Sequence, residues 1–384
     1  MVKIKERLLD EVKATNQKFA EFLIENNISR IRITSIGHSI AAGYSFVRTV
    51  GPLLLRNETL AEILKNNGIE VELYHFARGQ NNSDRQVHKW LQTNISETEM
   101  NKMNRVDYSN LSTAMTTHGV TEEKLDKWYP LEKEHDGRMR DLIFDNDPDL
   151  ANIVVYCSGT GSFLDALTRR GTFGQQAYHG VNKDMASVNA VLESIEINNR
   201  SNNGTAQVYL SGIPNLLGIR VISNLINYKI KRVAKQFANV VYLSPAVSRM
   251  FNRRVDKEGN EAFGFGVDVH YNENEYLKFN INILKSIMKN YVKLKSLIKL
   301  DREIEKLSTE IELINTDEWK NKEYVENRMY EIMNTILDEI KKPSDKKEFL
   351  KAAKKIIVER FPYDFYYVGK GHAKKVIKTF KKKI

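Results

Sequence analysis

Five short apolar runs, separated by stretches with helical patterning, constrain this chain more than any other feature. They span residues 31–36, 69–76, 152–157, 206–210 and 240–243, and most run into small or polar residues. Gly37 follows the first, Ala77-Arg78-Gly79 the second and Ser158-Gly159-Thr160-Gly161 the third. Ser211-Gly212-Ile213-Pro214 ends the fourth and Ser244-Pro245 the fifth. Helical patterns lie between them, for example at 58–66 and 183–198. Strands alternating with helices predict a parallel sheet covered on both faces. Open sheets of that kind bind ligands at the C-terminal ends of their strands.

A first amphipathic helix is predicted over 3–26, with Leu8, Val12, Phe19, Phe22 and Leu23 as its apolar stripe. After Tyr276 the pattern is helical throughout, and residues 267–368 contain no glycine. Leu284, Ile287, Tyr291, Leu294 and Ile298 step by three and four, as do Leu300, Ile304, Leu307, Ile311 and Ile314. Such a seam fits a helical hairpin within one chain or a homodimer through this extension. Val325, Met329, Ile332, Ile336 and Ile340 predict another helix, and Ser344 a cap for a further one over 345–360. The expected organisation is an α/β domain over 1–294, a helical extension over 295–369 and a basic amphipathic segment over 370–384. Within the first lies an insertion at about 80–150, too long for an ordinary α/β connection. It reads either as a cap over the ligand edge or as a surface elaboration.

One cysteine, Cys157, excludes an internal disulfide framework and a thiolate-rich metal site. His75, His88, His118, His135 and His179 show no metal-ligand spacing, so neither a metal nor a cofactor is expected. No apolar run approaches the roughly 18 residues that span a bilayer, and no signal-peptide core is visible. The expected setting is cytoplasmic.

Chemistry is suggested where the runs end. Gly37-His38-Ser39 places a serine just past the first strand, where a hydroxyl at the sheet edge and an amide near a helix N-terminus suit a nucleophile. A serine needs a base, and His270 is the candidate, with Asp268 two residues before it. Ser158-Gly159-Thr160-Gly161 also reads as a phosphate-cradling nest, although it lacks the lysine and spacing of a P-loop.

Taken in order, these blocks resemble the SGNH/GDSL hydrolase family over about residues 29–290. The resemblance implies a three-layer, flavodoxin-like parallel sheet carrying a serine ester hydrolase or O-acyl transferase. It makes Ser39 the nucleophile, His270 the general base and the amides of Ser39 and Gly79 the oxyanion donors. The implied substrate is a small-molecule or glycan ester, such as an acylated carbohydrate or lipid-linked glycan. Three blocks depart from the family pattern, the first because His38 stands where an aspartate is expected before the serine. Gly161 stands where an oxyanion-hole asparagine is expected, with Asn81 or Asn82 as a candidate replacement amide. Asp268 is one position away from the expected Asp-x-x-His spacing, where Val267 stands. These departures motivate the alternative, a catalytically degenerate scaffold that binds a glycan, a membrane or a protein partner.

The net charge of +10 is unevenly placed. Residues 370–384 hold seven lysines and no acid, leaving 1–369 at 52 basic against 49 acidic residues. On a helix, Ala373, Val376, Ile377 and Phe380 share one side, the pattern of an interfacial helix on an anionic membrane. A solvated basic end is the other reading, and no recognised motif supports nucleic acid. The lysines would place the protein peripherally at the inner membrane face.

Overall fold

The structure is a computed structural model that describes residues 2–37, 58–75, 141–158, 173–216, 220–245, 247–248, 254–255, 261–262, 273–313, 322–360 and 370–383. Its first two helices hand over to strands in the same way. α1 (Val2–Glu25) is followed by Asn27 and α2 (Glu58–Asn66) by Gly68, both in the left-handed conformation. Ile28 N–H then donates to Leu23 O at 2.8 Å, and Ile69 N–H to Leu64 O at 3.0 Å. These bonds satisfy carbonyls that a helix end leaves bare. Both isoleucines are buried, so each cap also fixes the entry into β1 (Arg30–Gly37) and β2 (Glu70–His75).

With β3 (Leu150–Cys157), β4 (Gln207–Ser211) and β5 (Val240–Leu243), these strands form one five-stranded, all-parallel sheet. The order is β2-β1-β3-β4-β5, that of flavodoxin-like doubly wound sheets. α3 (Phe173–Ser201) and α4 (Arg220–Ala234) pack on one face through Val188, Leu192, Ile195, Ile226 and Ile230. α1, α2 and α5 (Glu273–Leu313) pack on the other through Phe19, Leu23, Leu60, Phe279 and Ile283. All eight residues of β3 are buried, which is why it reads as continuously apolar.

β1 is less apolar than its sequence suggested. Ile31 and Ile33 enter the α1 side, while Arg32 enters the sheet's other side, only 6% exposed. Its guanidinium donates to Glu72 at 2.6 Å, Asp145 at 2.7 Å and the carbonyl of Leu142 at 3.0 Å. Arg30 pairs with Asp147 and, at 3.2 Å, with Glu70. The parallel register sets Arg30 opposite Glu70 and Arg32 opposite Glu72, so β2 supplies the counter-charges. Asn152 adds hydrogen bonds to the carbonyls of Leu142 and Ile143 at 3.2 and 3.0 Å. Residues 142–147, which end the long insertion, are therefore strapped to the N-terminal half of β1 and β3.

α5 runs unbroken for 41 residues. Leu294 still belongs to the core under the sheet, whereas Leu297 belongs to a separate core shared with α6 (Lys322–Glu339), α7 (Pro343–Arg360) and α8 (Lys370–Lys383). From Leu284 to Leu307 the predicted seam is filled from within the chain, by α1 along its first half and by α6 and α7 further on, while the side chains of Ile311 and Ile314 lie outside what the structure describes. Arg360 clamps the buried Asp301 with two bonds of 2.7 and 3.0 Å, tying α7 to α5. Arg302 donates to the carbonyls of Asn199 and Gly204, tying α5 to the turn before β4.

Two details differ from the sequence reading. Pro343 occupies the first helical position of α7, where its missing N–H costs nothing. The Ser344 hydroxyl donates to Asp345 instead of capping that helix. In α8, Val376, Ile377 and Phe380 are buried against the helical core, with Phe380 5.5 Å from the Tyr330 ring. The apolar side expected at a lipid interface is occupied by protein. Among the described residues no helix is long and apolar enough to cross a membrane.

Candidate functional site

The candidate site is the C-terminal edge of the sheet, where Gly37, Cys157, Ser211 and Leu243 stand in register across β1, β3, β4 and β5. The strand order reverses at β1 and β3, so the crevice beyond them is where such sheets admit ligands.

Gly37 is fixed by two independent constraints. Its φ of 141° is a conformation that side chains avoid, and a Cβ there would lie 2.3 Å from the carbonyl oxygen of Cys157. Only glycine lets β1 lie this close to β3 at its last residue. The residue two positions on is Ser39.

Several hydroxyl side chains near the ends of β1, β3 and β4 are buried. Ser158 is fully buried; its N–H donates to Ser211 O at 3.0 Å, which extends the β3–β4 ladder by one bond. Among the described residues its Oγ has no hydrogen-bond partner, and neither do Thr34 Oγ1 and Ser35 Oγ. Ser211 Oγ donates to Gly212 O at 3.3 Å. Asn227 of α4 donates to Ile213 O at 2.8 Å, and its Oδ1 would be 2.1 Å from a Cβ on Gly212. That contact draws α4 tightly against the end of β4. Burial pushes the Cys157 thiol up to about 12, so this cysteine is a neutral packing group and not a nucleophile.

Ser39, Gly79, Asn81, Gly161, Asp268 and His270 all lie outside the described residues. Their flanking elements are described. Gly79 follows the end of β2 by four positions, and Gly161 follows the end of β3 by four. α5 begins three positions after His270, with Tyr276 buried in its first turn beneath the sheet. The sequence reading missed the hydroxyl group of Ser158 as a buried, unpaired feature; serine directly after an apolar strand was its only signal. The chain matches no protein-family model and no curated protein.

Proposed function

We propose that the chain is a serine ester hydrolase or O-acyl transferase of SGNH type, acting on an acylated carbohydrate or lipid-linked glycan. The observation that carries this reading is the parallel sheet of order 2-1-3-4-5 with the obligatory glycine Gly37 at its switch point, two residues before Ser39. Further support comes from block order, since Gly79 and Gly161 follow β2 and β3 in sequence and His270 precedes α5.

In this reaction Ser39 Oγ attacks the acyl carbonyl carbon while His270 takes its proton. The oxyanion that forms is held by the amides of Ser39 and Gly79, with the Asn81 side chain as a further donor. Collapse breaks the ester C–O bond, and His270 returns the proton to the leaving alcohol. Water or a sugar hydroxyl then attacks the acyl-serine, with His270 again taking the proton, and regenerates Ser39. Asp268 supports the imidazolium electrostatically. The steps use no metal and no nucleotide. Gly161 in place of an asparagine donor makes this a slow catalyst, since one missing donor costs on the order of 100–1,000-fold.

The same glycine, together with the offset Asp268, favours one second reading, a degenerate scaffold that binds a glycan or partner without chemistry. Hydrolysis of short-chain p-nitrophenyl esters by wild type and Ser39→Ala separates the two. Turnover lost in Ser39→Ala supports the enzyme. Equal rates in both proteins, or none in either, favour the scaffold.

A further inference from the structure

The whole basic excess of the chain resides in its last two helices. Residues 341–384 carry 15 lysines and arginines against four acids, a net charge of +11, while residues 1–340 carry 44 against 45. α7 and α8 are also one packed body. Phe349, Leu350, Ala353, Ile356 and Ile357 of α7 share a core with Val376, Ile377 and Phe380 of α8.

Burying those apolar sides turns the lysines outward. On α7, Lys347, Lys351 and Lys354 are exposed at helical spacing along one stripe. On α8, Lys375, Lys378 and Lys382 form a second exposed stripe, with Lys381 beside it. The acids nearby are few and partly committed: Glu348 pairs with Lys293 at 3.7 Å and Glu359 with Lys355 at 3.6 Å, while Asp345 accepts from Ser344. Lys355 itself donates to the carbonyls of Lys235 and Gln236 at the end of α4, so it braces the body and is not part of the stripes.

We propose that the α7–α8 body is an electrostatic docking surface for an anionic lipid membrane, which it binds by adsorption without inserting an apolar helix. Among the exposed, described positions of the two helices there is no arginine and no aromatic residue. Base stacking on aromatic side chains and planar contacts by arginine, which strengthen nucleic-acid binding, are therefore not offered by these positions. Lysine ammonium groups on flexible stems suit the diffuse negative field of a lipid surface. Val376, Ile377 and Phe380 are committed to the protein core, so attraction rests on charge and is screened by salt. This surface does not depend on the ester chemistry proposed above.

The test is flotation of the full chain with vesicles of phosphatidylcholine alone or with about 30% phosphatidylserine. Wild type is compared with Lys347→Gln/Lys351→Gln/Lys354→Gln and with Lys375→Gln/Lys378→Gln/Lys382→Gln. Circular dichroism and thermal unfolding establish that each variant is folded. Wild type is expected to float only with the anionic vesicles and to be released by about 0.5 M salt. Each folded triple variant should partition on the order of 100-fold more weakly, at about fivefold per lysine. Three results would overturn the proposal: equal binding to both vesicle types, folded variants that bind like wild type, or tighter binding to single-stranded RNA or duplex DNA than to anionic vesicles at the same salt.

Discussion

A Cβ on Gly37 would lie 2.3 Å from the carbonyl oxygen of Cys157, so the end of β1 can approach β3 only as glycine. Gly37→Ala must either strain a backbone held at φ 141° or push the central strands apart. The expected loss is about 2–4 kcal/mol, combining the backbone and overpacking costs. Urea unfolding measures it, and an unchanged midpoint would contradict the close approach.

Cys157 provides a probe of the same region. Its thiol is pushed up to about 12 by burial, so the native protein should react with a thiol reagent at neutral pH only as fast as it unfolds. The sign follows from the direction. Below about 9 both folded and unfolded chains keep the proton; above it the unfolded chain loses one that the folded chain retains, so stability falls as pH rises from there. Cys157→Ala should reduce that slope between about pH 9 and 10, before the buried tyrosines Tyr209, Tyr242 and Tyr291 add theirs. Rapid labelling of the native thiol would show an open strand edge instead.

Acid should loosen the strap over β1. The Asp149 N–H and the Arg30 guanidinium hold the Asp147 carboxyl below its ordinary value. Stability from this group is present above the unfolded pKa and lost as pH falls through the lower, folded value. Asp147→Asn should therefore flatten the loss of stability below about pH 4. Thermal unfolding against pH distinguishes the two proteins, and parallel curves would show that the Asp149 N–H and Arg30 together give the Asp147 carboxylate no stabilising role.

At the junction of α5 and α7, burial pushes the Asp301 carboxyl up to about 7, helped by Glu196, while Arg200 and the two bonds from Arg360 favour its charge. Arg360→Met removes the bidentate partner, leaves Asp301 with Arg200 at 3.9 Å and draws a proton onto the buried carboxyl. The expected cost is about 1–3 kcal/mol. Asp301→Asn in the Arg360→Met background should recover much of it. Failure of that rescue would mean that Arg360 acts through packing alone.

The alternation of strands and helices was legible because each strand is short, carries continuous or alternating apolar residues and is bounded by small or polar residues. The 153–157 run is buried on both faces, and nothing but a central parallel strand suits it. The α5 seam was legible as a helix, but its partners were not. Leu294 and Leu297 sit three residues apart in one uninterrupted helix and serve different cores, a division that only the position of α1, α6 and α7 reveals. Arg32 was hidden for a similar reason: its two counter-charges are 40 and 113 positions away in sequence. The lysine-rich end was read as a helix with an apolar side facing lipid. Its apolar side instead completes a core built by helices that the sequence does not mark as neighbours. For the site, Gly37 explains why glycine precedes the Ser39 segment. Ser39 and His270 themselves lie outside the described residues.

The most direct measurement is covalent labelling by a fluorophosphonate, read as intact mass and mapped by peptide. Nucleophilic Ser39 with His270 as its base predicts one adduct, on Ser39, absent from Ser39→Ala and strongly reduced in His270→Ala. Folded wild-type protein that takes up no label, or takes it equally in Ser39→Ala, would contradict the proposed chemistry and leave the sheet as a binding scaffold.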